Sequence, residues 1–296
     1  MLRRFLISAL ATLALSSVSH AASPLPVVAS FSILGDMVQR IGGDRVAVTT
    51  LVGPDGDAHV YEPTPDDVRN LTAAKLLVVN GLGFEGWMDR LVGSAGYKGA
   101  VTVASTGVAP RTLTEDGVVG DDPHAWQSLA NGMLYVHNIE AGLIAADPEG
   151  KATYEANAES YEAELAALEG DVKTAVAAIP PERRKIITSH DAFGYFGAAY
   201  GLQFIAPEGV STETEATAAD VARIITQIKA EAIPAVFMEN IADPRLVQQI
   251  AAETNATIGG TLYSDALSKA DGPAATYVAM FRNNIAKLTA ALAPKS

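Results

Sequence analysis

From Pro26 onward, short apolar runs alternate with stretches whose apolar residues recur every three or four positions. Residues 27–30, 46–51, 76–80 and 101–104 read as strands, and 33–41 and 64–73 as helices. The second helix opens with Thr64 as its cap and Pro65 at the first helical position, where the missing N–H has no partner to lose. Alternation of this kind predicts βα units around a mostly parallel sheet.

The middle of the chain has a different period. Tyr161, Leu165, Leu168, Val172, Ala175 and Ile179 recur at spacings of three and four and form one apolar stripe. Asp147 suits an N-cap, Pro148 suits the first turn, and no further proline appears until Pro180 and Pro181. The helix so defined runs about 30 residues, or about 45 Å, enough to cross a two-domain protein. Gly170 lies inside it, but one glycine costs only about 1 kcal/mol, so a continuous helix is expected. Beyond it the alternation resumes, with strands at 185–189, 203–206, 235–238 and 258–263 and helices at 193–200, 218–230, 244–254 and 273–292. The predicted fold is α/β: two βα lobes with mostly parallel sheets, joined by one long rigid helix. The lobes are 22–146 and 182–296, and the linking helix is 147–181.

Residues 1–21 read as a cleaved signal peptide. Arg3 and Arg4 precede an apolar run at 5–15 that is short for a membrane span, and the polar residues 16–20 end it early. Ser19-His20-Ala21 places small residues where a signal peptidase reads, so cleavage is expected after Ala21 or Ala22. The sequence has no cysteine. No disulfide is therefore expected, and no residue is available for lipid at a new N-terminus. The expectation is a protein free in the periplasm, with no lipid anchor. The net charge of −13 argues against nucleic acid and anionic lipid as partners.

Past residue 21 the chain has four histidines: His59, His124, His137 and His190. Three fall at predicted strand ends or in the loops beside them. His59 lies in the Gly- and Asp-rich loop after the strand at 46–51. His124 closes Asp121-Asp122-Pro123-His124 before a helix, and His190 follows the strand at 185–189. Asp265 lies at the equivalent end of the last strand. In open parallel sheets, ligands bind at the carboxyl ends of strands. Imidazole suits zinc, iron and manganese, and a carboxylate adds a hard oxygen and a negative charge. Three neutral imidazoles and one carboxylate leave a divalent ion at +1, tolerable if an acid such as Glu239 lies near. Taken singly, each histidine reads more readily as a cap or surface residue than as a ligand, and the shared strand-end placement strengthens the ligand reading without deciding it.

Other features read as structural. Gly81-Leu82-Gly83-Phe84-Glu85-Gly86 matches a dinucleotide-binding pattern, but Glu85 would sit where a pyrophosphate needs donors, so a tight turn is expected. His137 lies in a helical pattern away from strand ends and reads as a surface or packing residue. Trp126 is expected to wall the cleft. For Glu239 and Asn240, hydrogen bonding to a ligand histidine and a satisfied turn are equally good readings. Glu208, Glu213 and Glu215 read as a solvated loop.

The segment Ala58-His59-Val60-Tyr61-Glu62-Pro63-Thr64-Pro65 resembles the first metal motif of the zinc- and manganese-binding proteins of ABC importers. Asp122-Pro123-His124-Ala125-Trp126 resembles the second, Ser189-His190-Asp191-Ala192-Phe193-Gly194-Tyr195-Phe196 the third, and Leu262-Tyr263-Ser264-Asp265-Ala266-Leu267 the fourth. The resemblance implies two lobes on a helical backbone and the ligand set His59, His124, His190 and Asp265. Members of the manganese branch usually carry glutamate at the third position, so His190 favours Zn2+, with Mn2+ (or iron) as the alternative. The histidine-rich insert common in the zinc branch has no counterpart at 111–122. The implied function is capture of the ion and delivery to an ABC permease in the inner membrane, by a monomer and without catalysis. A periplasmic metallochaperone is a further candidate partner. Neutral histidines are needed, so affinity is expected to fall as pH drops through about 6.5. The rival class is an exported zinc-dependent hydrolase, disfavoured because no His-Glu-x-x-His helix or separate general base is present.

Overall fold

The computed structural model describes residues 23–115 and 118–294; the expected signal peptide lies outside the described residues. The first sheet contains β1 (Leu25–Phe31), β2 (Val46–Val52), β3 (Leu76–Val79) and β4 (Ala100–Val103). The strands are parallel and lie in the order β2-β1-β3-β4. Val27, Val28, Ala29 and Phe31 on β1 are all buried, as a strand covered on both faces requires. The covering helices are α1 (Ser32–Gly42), α2 (Pro65–Ala73), α3 (Met88–Ala95) and α4 (Leu129–Ala146). At α2, Thr64 Oγ1 accepts from Asp67 N and Asp67 Oδ2 accepts from Thr64 N (2.7 Å), a reciprocal cap that fixes the chain leaving the His59 loop.

Between β4 and α4 the chain forms an antiparallel hairpin, β5 (Thr112–Glu115) and β6 (Val118–Asp121). The sequence gives no strand signal there, because these short strands pair only with each other and need no apolar face.

One continuous helix, α5 (Lys151–Ala177), follows. Tyr154, Ala158, Tyr161, Leu165, Leu168, Val172 and Val176 are its buried residues. Gly170 faces open space and leaves the helix unbroken. The expected start at Asp147 is displaced. Residues 148–150 form a single tighter turn, and the Asp147 carboxylate accepts from Arg45 Nε (3.0 Å) and Nη2 (2.8 Å) and from Tyr154 Oη (2.6 Å) instead of capping. A guanidinium and a hydroxyl outcompete the backbone N–H for that side chain. Helix α5 packs on α1 and α4 on one side.

The second sheet holds β7 (Lys185–Ile187), β8 (Gln203–Ile205), β9 (Ala235–Glu239) and β10 (Thr257–Leu262), all parallel, in the order β10-β9-β7-β8. Helices α6 (Gly194–Tyr200), α7 (Ala218–Glu231), α8 (Pro244–Ala252) and α9 (Tyr277–Leu292) accompany it. Helix α9 begins at Tyr277, four residues later than the sequence suggests, because Thr276 caps it by accepting from Ala279 N (3.1 Å). It packs on α5 from the second lobe, so α5 touches both halves.

In each sheet the first strand lies between the second and the third. The chain crosses to one side, then returns past its starting strand, so each sheet has a switch point beside its first strand. Loops leaving the strands at a switch point diverge and open a crevice. The two crevices face each other.

Candidate metal centre

The four side chains singled out in the sequence meet in that crevice. His59 leaves the β2–α2 loop, His124 follows the hairpin, His190 follows β7, and Asp265 follows β10. One ligand atom from each lies within 4.8 Å of every other. His59 Nε2 is 3.2 Å and His190 Nε2 2.9 Å from Asp265 Oδ2. His124 Nε2 is 3.6 Å from Asp265 Oδ1 and 3.3 Å from His59 Nε2. A tetrahedron with metal–ligand bonds of about 2.0–2.1 Å has edges of about 3.3–3.4 Å, so these separations lie about that value. Both Asp265 oxygens face the cluster, and Oδ1 has no hydrogen-bond partner among the described residues. His124, His190 and Asp265 are fully buried, whereas His59 is 9% exposed and forms the solvent side of the site.

Each half of the protein builds two ligand positions, and contacts across the crevice fix their register. Trp126 Nε1 (2.9 Å) and Gln127 Nε2 (2.7 Å) both donate to Ser264 O, one residue before Asp265. Trp126 is fully buried with its ring 5.3 Å from that of His124, so it walls the crevice as expected. Phe84 packs edge-on against His59 at 4.8 Å. Trp87 Nε1 donates to Ala58 O (2.8 Å) and Asp57 Oδ1 accepts from His59 N (2.9 Å), which together hold the otherwise irregular His59 loop.

Two further carboxylates stand behind the histidines. Asp122 Oδ1 accepts from His124 N (3.0 Å) and lies 2.9 Å from His124 Nδ1. Glu239 Oε1 accepts from Ser189 N (2.8 Å) and His190 N (2.9 Å), while Oε2 lies 2.7 Å from His190 Nδ1. The sequence reading weighed Glu239 but missed Asp122, although a carboxylate two residues before a histidine is the signal that could have found it. Burial disfavours the charged His124 ring, but Asp265 and Asp122 outweigh it and carry its pKa up to about 9. His190 is likewise raised against the effect of burial by Glu239 and Asp265, and Asp265 is held well below the carboxylate range by His190 and His124. Without a cation the site is therefore held together by protons, and proton competition extends well above the value near 6.5 expected from free imidazole.

The family model for the periplasmic zinc-uptake complex component A, ZnuA, matches residues 27–291. The chain belongs to this family. MntA of Halalkalibacterium halodurans, a manganese-binding lipoprotein, is 36% identical over 261 residues, 88% of this chain and 86% of MntA. The iron-binding protein YfeA of Yersinia pestis is 32% identical over 276 residues, 93% of this chain and 88% of YfeA. The solved structure of TroA, the periplasmic zinc binding protein of Treponema pallidum, superposes with a TM-score of 0.86 at 31% identity, over 92% of this chain and all of TroA. The fold is thus that of the ZnuA family, with two α/β lobes on a long helix.

These relatives correct one expectation. A location free in the periplasm, with no lipid anchor, was expected from the lack of cysteine, yet MntA, SsaB of Streptococcus sanguinis and PsaA of Streptococcus pneumoniae are lipoproteins. Absence of an anchor is therefore not a property the family supports. The reason for the error is that a missing attachment residue says nothing about how relatives of the same fold are held; the location they support is extracytoplasmic.

In this ZnuA-family chain a cavity of about 910 Å³ opens beside His59, lined also by Phe84, Asp121, Asp191, Glu208 and Arg223. Glu213 and Glu215 are exposed at its rim, but Glu208 is only partly solvated and burial raises its carboxyl pKa, so it is less free than a solvated loop residue. His137 is exposed on α4, away from the site. The glycine-rich turn after β3 binds its own side chain: Glu85 Oε1 accepts from Asn80 N and Ser30 Oγ (both 2.6 Å) and Oε2 from Gly81 N (3.2 Å). Gly81 has φ 84°, a backbone state that favours glycine. The donors a pyrophosphate would need are already taken.

Proposed function

We propose that this ZnuA-family chain captures one zinc ion through His59, His124, His190 and the Asp265 carboxylate and delivers it to an ABC permease. The observation that carries this reading is the convergence of three imidazole nitrogens and a carboxylate, from both lobes, within 4.8 Å. The division into lobes 22–146 and 182–296, tied by 147–181, fits capture at their junction. Nitrogen-rich four-coordinate sets suit zinc. Charge supports the same reading. Asp265, Asp122 and Glu239 give the buried site three negative charges, and Arg111 lies 3.5 Å from Asp122, so a divalent ion leaves the site near neutrality. The chain acts as a carrier: it binds the ion as cargo, as a single chain and with no turnover of its own.

Manganese is the second reading, and one feature favours it. Both Asp265 oxygens face the cluster, which permits a bidentate carboxylate and a coordination number above four. Competitive titration of chelator-stripped protein with zinc and manganese decides between them. One equivalent of zinc that manganese fails to displace is expected; a hundredfold preference for manganese would replace the metal and keep the carrier role.

A further inference from the structure

Glu239 is the last residue of β9, yet all of its side-chain polar contacts are with the segment that carries His190. Oε1 accepts two successive backbone N–H groups, from Ser189 and His190. Oε2 lies 2.7 Å from His190 Nδ1, an ion-pair distance, and neither atom has a hydrogen-bond partner among the described residues. On the far side of the same ring, Nε2 faces Asp265 Oδ2 at 2.9 Å. Glu239 is 3% exposed and, unlike Asp122, has no Lys or Arg in ion-pair contact among the described residues.

A neutral imidazole carries its proton on one nitrogen and offers a lone pair on the other. Only a lone pair on Nε2 can bind a cation held with His59, His124 and Asp265. A carboxylate accepts and never donates, so Oε2 requires the proton to be on Nδ1. We propose that Glu239 is a positioning residue that fixes His190 in the tautomer able to bind metal. This inference rests on the metal-carrier reading above.

The variant E239Q separates this role from simple support of the turn. The amide oxygen of Gln can replace Oε1 and keep both backbone hydrogen bonds. The amide NH2 then faces Nδ1 and donates to it. The ring proton moves to Nε2, where Asp265 Oδ2 accepts it, and two ligands become satisfied by each other instead of by a cation.

The test uses the chain from residue 22 onward with 15N-labelled histidine, as wild type, E239Q and E239D. Zinc affinity is measured by chelator competition, and the protonated ring nitrogen of His190 by two-bond 1H–15N correlation spectra. Zinc-loaded wild type is expected to carry the proton on Nδ1. E239Q is expected to lose about 10–100-fold in zinc affinity, with the proton on Nε2 in the metal-free neutral ring. E239D keeps an acceptor-only side chain and is expected to restore the Nδ1 proton and part of the affinity. Unchanged affinity in E239Q overturns the inference, as does weaker binding with the proton still on Nδ1, which would mean mere support of the turn. If E239Q does not fold, the wild-type spectrum decides: zinc on Nδ1 of His190, with the proton on Nε2, overturns it. A wild type that takes up no zinc overturns the carrier reading itself.

Discussion

At the scale of residues, the four proposed ligands are not equivalent. His124, His190 and Asp265 are fully buried, whereas His59 stands at the mouth with 9% exposure. Water can take the place of a ligand on the open side but not of one sealed behind Trp126. H59A is therefore expected to retain zinc with a loss of about 10–100-fold, whereas H124A should lose on the order of 10³-fold, about 4 kcal/mol. Isothermal titration with a competing chelator checks the order; equal losses would contradict it. The four converging side chains were legible in the sequence because each sits at or beside a strand end within a recognisable motif. Asp122 was not, since its contact with His124 Nδ1 depends on a backbone turn between them that no periodicity reveals.

Elements were read with less uniform success. Strands β1 to β4 and β7 to β10 follow apolar runs, and α5 follows its stripe, because burial on a fixed face imposes those periods. The hairpin β5–β6 left no such trace, and the start of α5 moved from Asp147 to Lys151 because Arg45, distant in sequence, claims the expected cap. Helix α5 matters because it joins the two ligand-bearing halves. Leu165 is fully buried on its stripe. L165A is expected to destabilise the fold by about 2–5 kcal/mol through lost burial and a residual cavity. Urea unfolding measures it, and a change below about 0.5 kcal/mol would show that α5 is not packed as described.

At the scale of the whole molecule, protons and metal compete for the force that joins the lobes. The folded pKa of His124 is raised to about 9, above the unfolded value of about 6.5. Its contribution to metal-free stability is therefore fully present below about pH 6.5 and lost as pH rises through about 9. Asp36, between α1 and the Tyr277 N–H of α9, is raised to about 6 by burial, so its contribution is present below its unfolded value and lost as pH rises through about 6. The Asp36 contribution is spent by about pH 6, so between pH 6.5 and 8.5 it is the His124 shift that makes the metal-free protein lose stability as pH rises. Zinc replaces the protons, so its stabilising increment should grow over the same range. At free zinc 100 times Kd the increment is about 2.7 kcal/mol, or about 5–10 °C in Tm. Calorimetry of the metal-free and loaded forms at pH 6.5 and 8.5 tests this; an increment that shrinks with pH would contradict the proton exchange. The two-lobed plan was legible from the alternation on either side of α5, but the matched strand orders that turn the crevices toward each other are a property of pairing, which a linear pattern does not contain.

The most direct measurement is a crystal structure of the zinc-loaded protein with anomalous data at the zinc edge. A single peak is expected between the lobes, about 2.0–2.2 Å from one nitrogen each of His59, His124 and His190 and from the Asp265 carboxylate. A full-occupancy peak elsewhere, or one bound by fewer than three of these side chains, would contradict the account.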